Sequence, residues 1–285
     1  MIGQKRHIEL QGGKATFYEA SSPDLPLLVF LGGNSFPSAC YQSLLSTFTS
    51  NYSVVAFENR ALWESNPKVD FQKNWSLYTE DLLEFLIQYT DQPITAMGHS
   101  MGASNLILAA HSNPSLFKQL IFIQPVLLPR KINVFKALVP YNQRQRIQPA
   151  KSVVGKIDHW PTYESAFKSH RKEPRYKRFS DEELHVYLRG LLQDDTKGLS
   201  LRWPLKWEMH NFKTPTYIWP QLKQLDVPSI GIYGKPDFFM PVKTQKKWKQ
   251  NAPTTKFIYF SDNGHLLPLE NGEACALGIL KTLGL

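Results

Sequence analysis

The chain has 285 residues, of which 42% are hydrophobic and 13% aromatic, with 33 Lys and Arg against 24 Asp and Glu. That length and composition suit one large α/β domain, alone or carrying a substantial insertion, and they exclude an intrinsically disordered chain. No run of eighteen apolar residues occurs, so no transmembrane helix is expected.

In chain order, the first strong signals are short, unbroken apolar runs: LPLLVFL at 25–31, YSVVAF at 52–57, PITAM at 93–97 and QLIFI at 119–123. Runs of this length without alternation predict strands covered on both faces, as in a parallel sheet. Between the second and third, Trp75, Tyr78, Leu82, Phe85 and Tyr89 recur at intervals of three and four and predict a helix. Strand alternating with helix is the pattern of a wound α/β sheet. From about 129 to 222 the text turns basic, aromatic and helical, broken by seven prolines from Pro140 to Pro220. The strand rhythm returns with PSIGIY at 228–233 and KFIYF at 256–260, and a last helix is predicted over 270–283. The expected organisation is a core of 1–128 and 223–285, with 129–222 inserted as a cap.

Charge is unevenly placed. The net charge is +9, yet Arg130 to Arg178 holds thirteen Lys and Arg against Asp158, Glu164 and Glu173. A solvated helical face accounts for such a run, and an anionic substrate or a membrane surface is the functional alternative. Nucleic acid is not expected, since no binding motif accompanies the charge. Neither HExxH nor CxxC occurs, so no metal is expected. Cys40 and Cys275 stand far apart and in no motif, which reads as two free thiols. The first twenty residues carry no apolar core behind their basic residues, so no secretory leader is expected and a cytoplasmic location is.

Gly98-His99-Ser100-Met101-Gly102 fits G-x-S-x-G, with a buried strand (ITAM) leading in and an apolar helix (ASNLILAAH) leading out. A serine on that turn adopts a strained backbone, and the flanking glycines relieve crowding where strand and helix nearly touch. Its hydroxyl needs a base, normally a histidine oriented by a carboxylate, and these follow in the order Ser, Asp or Glu, His. His265, in SDNGHLLPLE just after the last strand-like run, is the expected base. Asp237, in GIYGKPDFFMP, is the expected carboxylate, with Asp262 an alternative too close to His265 in sequence to be preferred. His99 is expected to point away from the serine. The backbone N–H groups of Met101 and Asn34 are the expected oxyanion donors, Asn34 because Gly32-Gly33 allow its loop to approach. Trp160, Trp207 and Phe238 are candidates for lining a substrate pocket.

Together the segments GHSMG, GKPDFFMP and NGHLLP resemble the nucleophile, acid and histidine segments of the α/β-hydrolase superfamily. The loop GGNSFP is similar to the H-x-N-G-F-P variant of the family's oxyanion loop but lacks its histidine. WPTYESAF, FSDEELHVYLRGLL and LSLRWPLKWEMHNF resemble the helical lid of one group of bacterial members. The resemblance implies a mostly parallel sheet flanked by helices with a helical cap inserted after strand 6. It also implies a cofactor-independent serine esterase acting through an acyl-enzyme without naming the substrate, and the basic stretch adds the expectation of a small ester that is anionic or lipid-like. Acyl transfer, thioester or lysophospholipid hydrolysis and carbon–carbon bond cleavage use the same triad. From another class, a non-catalytic binding protein would use the basic cap as its contact surface. A serine at position 100 argues against dehalogenase and epoxide hydrolase relatives, which carry aspartate there.

Overall fold

All six apolar runs become strands of one sheet in the computed structural model, which describes residues 3–285. They are β3 (Leu27–Leu31), β4 (Ser53–Phe57), β5 (Ile94–His99), β6 (Phe117–Ile123), β7 (Ser229–Gly234) and β8 (Lys256–Phe260). Two further strands, β1 (Gln4–Leu10) and β2 (Gly13–Ala20), form an antiparallel hairpin at one edge, giving the order β1-β2-β4-β3-β5-β6-β7-β8. Strands β3 to β8 are mutually parallel, and β2 runs antiparallel to β4. The edge hairpin escaped the apolar-run criterion because β1 is largely solvated and carries Gln4, Lys5, Arg6 and Glu9.

Alternate residues of each central strand face opposite cores. Leu28 and Phe30 of β3, with Ile121 and Ile123 of β6, pack toward α1 (Gln42–Ser46) and the C-terminal helix. Val29 and Leu31, with Leu120 and Phe122, pack toward α2 (Ser76–Tyr89) and α3 (Met101–Ser112). Burial on both faces is why these strands read as continuous apolar text.

Between β6 and β7 lie α4 (Arg130–Leu138), α5 (Tyr163–Arg171), α6 (Asp181–Leu191), α7 (Leu205–Lys213) and α8 (Trp219–Lys223). In FSDEEL, Ser180 accepts the Glu183 N–H and three acids occupy the first turn, which starts α6 at Asp181. The cap is not purely helical as expected. His159–Trp160, Gly198–Leu201 and Leu192–Asp195 form a small antiparallel sheet. Strands of two to four residues leave no periodic signal, and this hairpin depends on its turn, where Asp195 accepts the Lys197 N–H and Gly198 takes φ +118°. Tyr176, Leu184, Tyr187 and Leu188 share one buried cluster with Leu44, Leu45 and Cys275, so the second half of the cap is packed onto the core. After β7 come α9 (Val242–Asn251), α10 (Leu267–Glu270) and α11 (Gly272–Leu283).

Candidate active site

Ser100 stands alone between the end of β5 and the start of α3, with φ 54° and ψ −116°. Positive φ at a residue with a Cβ is unfavourable and persists only where surrounding bonds impose it. Here the Ser100 N–H donates to the Ile123 carbonyl of β6 at 2.9 Å, and the Ser104 N–H donates to the Ser100 carbonyl at 3.1 Å. At Gly102, a methyl group would lie 2.3 Å from the Leu31 carbonyl oxygen, so only glycine lets α3 leave the turn this close to β3.

His265 sits on the loop between β8 and α10, and its Nε2 lies 2.9 Å from the Ser100 Oγ. Burial drives the His265 imidazole down to about 3, so the neutral ring faces the hydroxyl and can accept its proton. The Phe239 ring stacks on it with centroids 4.4 Å apart. Glu270 anchors the preceding turn, accepting the Gly264 N–H at 2.9 Å and the Asn263 amide at 3.2 Å.

Asp237 lies on the loop after β7 in the same cavity wall as His265. Its Oδ1 accepts the N–H groups of Phe239 and Met240, both at 2.8 Å. Burial raises its pKa, while the hydrogen bonds from the Met240 and Phe239 backbone lower it. Asp237 Oδ2 and His265 Nδ1 are both buried and neither has a hydrogen-bond partner. The structure thus brings Ser100 and His265 into contact and leaves the complementary acid and imidazole atoms open. Asp262 is turned to solvent beside Lys235, away from the site.

His99 does more than point away. Its Nε2 donates to the His265 carbonyl at 2.8 Å, so Nδ1 is the bare nitrogen and accepts the Tyr41 hydroxyl at 2.8 Å. Tyr41 in turn accepts the Gly33 N–H at 2.9 Å. Burial, with His265 nearby, takes the His99 pKa down to about 3, which keeps this tautomer neutral. One file of bonds therefore joins the loop of Gly33 and Asn34, the serine turn and the His265 loop.

A Cβ at Gly33 would lie 3.2 Å from that of Ser100, so the loop passes directly over the serine. The N–H groups of Asn34 and Met101 donate to no protein group among the described residues. The Asn34 side chain is clamped by α7, donating to the Glu208 carbonyl and accepting from the Asn211 amide at 2.8 Å. Asn211 also accepts the Tyr78 hydroxyl, and its carbonyl accepts the Trp75 indole N–H at 2.9 Å. Asn211, Tyr41 and Glu270 carry no motif and were not foreseen. Only His99, by its place inside the serine motif, offered a signal.

Two cavities meet at Ser100, Asn34, Phe238 and Phe239. One, of about 350 Å³, is mostly apolar and runs past Met101, Val126 and Leu128 to Ile132 and Phe135 of α4. The other, of about 500 Å³, holds His265 and Asp237 and is walled by Lys156, Arg175, Arg178 and Glu208. Trp160 and Trp207 line neither: both are buried, Trp160 in the cluster that joins the cap to Leu44, Leu45 and Cys275, and Trp207 in a cluster with Trp75, Tyr78 and Met101. Phe238 borders both cavities. Among the described residues, no cluster of three or more His, Cys, Asp or Glu could hold a metal ion.

This fold, with a serine turn at the carboxyl end of a central strand, defines an α/β-hydrolase. The family model described as serine aminopeptidase, S33, matches residues 22–271, and the chain belongs to that family of hydrolytic enzymes. Among curated proteins, it is 18% identical over 271 residues to the uncharacterized hydrolase YugF of Bacillus subtilis, covering 94% of this chain and 93% of that one. It is also 32% identical over 99 residues to the strigolactone esterase RMS3 of Pisum sativum, over 34% of this chain and 37% of that one. Among solved structures, E-2-(acetamidomethylene)succinate hydrolase superposes with a TM-score of 0.81 at 15% identity, over 99% of both chains. The thioesterase domain from the curacin biosynthetic pathway gives 0.75 at 19% identity, over 97% of this chain and 98% of that one.

Proposed function

We propose that the protein is a serine esterase acting through Ser100, His265 and Asp237. The observation that carries this reading is the 2.9 Å approach of a neutral, buried His265 Nε2 to the hydroxyl of a strained serine. Ser100 Oγ attacks the ester carbonyl carbon while its proton passes to Nε2. The tetrahedral oxygen becomes negative, and the free N–H groups of Met101 and Asn34 stabilise it. Collapse of the intermediate breaks the ester bond, and the alkoxide leaves with the proton from Nε2. Water then gives its proton to Nε2 and attacks the acyl-serine, releasing the acid and restoring Ser100. Asp237 Oδ2 is the acceptor for the Nδ1 proton that the imidazolium must share, and its Oδ1 is already held by the loop backbone.

The two cavities give the substrate a direction. The leaving oxygen must meet His265, which borders only the larger cavity with charged side chains on its wall, so the alcohol portion lies there. Met101 borders only the apolar cavity, which therefore receives the acyl group. The substrate class is a small ester with an apolar acyl portion and a polar alcohol or thiol portion.

A fluorophosphonate probe and a series of p-nitrophenyl esters of rising chain length test this. Covalent labelling of Ser100, lost in Ser100→Ala together with about a thousandfold or more of kcat, is the expected result. Turnover should rise from acetyl to medium-chain acyl groups. A folded protein that neither labels nor turns over any ester or thioester would refute the assignment and favour a binding role.

A further inference from the structure

The charge run that marks the cap has its own place in the structure. From Arg130 to Ile157 there are seven Lys and Arg and no Asp or Glu. Two of them are committed inward: Lys136 donates to the Phe212 carbonyl at 2.8 Å, and Lys156 pairs with Glu208 at 2.8 Å. Arg144 is half-buried and spent on the carbonyls of Val139 and Lys213. The remaining four, Arg130, Lys131, Arg146 and Lys151, are exposed and form no ion pair among the described residues.

The same stretch concentrates exposed apolar surface. Of the twelve large hydrophobic side chains exposed among the described residues, five lie here: Val134, Phe135, Leu138, Val154 and Ile157. Leu138 is 79% exposed, far beyond what a structural side chain requires. On α4, Ile132 and Phe135 border the apolar cavity, while Val134 and Leu138 share an outward face at a spacing of four. Phe135 and Phe238, both more than half exposed, also line that cavity, so it reaches the surface within this patch. Apolar side chains interspersed with solvated cations are what a helix needs to lie in the boundary of a negatively charged bilayer.

We infer that Arg130–Ile157 is an interfacial anchor that seats the cap on an anionic lipid surface, with the apolar cavity opening toward the acyl chains. Unpaired cations select an anionic partner, and the exposed Val134–Leu138 face supplies the apolar insertion. This surface is distinct from the Ser100–His265 contact and stands or falls separately from the esterase reading.

Co-sedimentation with vesicles of phosphatidylcholine, with and without phosphatidylglycerol, tests the anchor on both the unaltered chain and Ser100→Ala. Both should bind vesicles containing phosphatidylglycerol about tenfold or more tightly than neutral ones, and added salt should weaken that binding. Leu138→Asp and, separately, the double substitution Arg130→Glu with Lys131→Glu should each reduce it by about tenfold or more. Ile87→Asp, at an exposed apolar position of α2, should leave it unchanged. Absence of vesicle binding, binding indifferent to phosphatidylglycerol, or equal loss in Ile87→Asp would overturn the proposal. So would gel filtration showing that the patch pairs two copies of the chain and that Leu138→Asp separates them. Labelling of Ser100 in solution reports the esterase reading independently of all these outcomes.

Discussion

Tyr41 is hydrogen-bonded to both sides of the serine turn, receiving the Gly33 N–H and donating to His99, which holds the His265 backbone. It touches no reacting atom, so its part is to position two loops against each other. Tyr41→Phe keeps the ring, which packs against Phe30 at 4.7 Å between centroids, and removes the hydroxyl alone. That strands a buried N–H and a buried imidazole nitrogen, at a cost of about 1–3 kcal/mol in stability. Loosening of the oxyanion loop and the base should lower kcat by about tenfold with KM little changed, because the transition state is more sensitive to placement than ground-state binding is. Steady-state kinetics beside a denaturant titration check both halves. A loss of stability with kcat intact would reduce Tyr41 to a packing residue.

At the scale of elements, α7 reaches down from the cap and holds the oxyanion loop. Asn211 satisfies Asn34 and Tyr78 with its side chain and Trp75 with its backbone carbonyl, so Asn211→Ala leaves the Asn34 Oδ1 and the Tyr78 hydroxyl without partners. A destabilisation of about 2–4 kcal/mol is expected, together with a fall in kcat larger than any rise in KM. Thermal unfolding and an ester assay measure these. The same tie shows why the cap could not be interpreted from its own text. LSLRWPLKWEMHNF announces an amphipathic helix, but nothing in it tells that the carbonyls of Glu208 and Asn211 end on Asn34 and Trp75 of the core. Aromatic residues followed the same logic: Trp160 and Trp207 were expected in the pocket and instead sit in buried clusters that join cap to core, while Phe135 and Phe238, smaller and solvated, border the cavity.

Across the whole molecule, buried titratable groups pull stability in opposite directions with pH. His99 and His265 have pKa values depressed to about 3, so their contribution is present above the unfolded imidazole value of about 6.5 and is lost as pH falls toward 3. Glu58 is raised by burial from 4.5 to about 7 against the hydrogen bonds from Ser38. Its contribution is therefore present below 4.5 and lost as pH rises through 7. Glu58→Gln removes that alkaline loss. Relative to the unaltered chain, the variant should gain stability steadily from about pH 5 to about pH 8, as read by urea unfolding at several pH values. A constant difference across that range would mean that Glu58 is already ionised in the folded protein.

Strand positions in the parallel part of the sheet and the serine turn were legible in the chain, because each rests on local physics. A strand buried on both faces must be apolar throughout, and a helix that starts against the end of the neighbouring strand β3 must carry glycine at Gly102. Only the tertiary structure decided how closely His265 approaches Ser100 and that Asp237 Oδ2 stands open. It alone revealed that Tyr41, His99, Asn211 and Glu270 hold the site, and that exposed apolar and basic side chains gather at its mouth. Those facts depend on contacts between residues far apart in sequence, some separated by more than a hundred positions. Such contacts are set by the packing of whole layers, for which no short stretch of sequence carries a record.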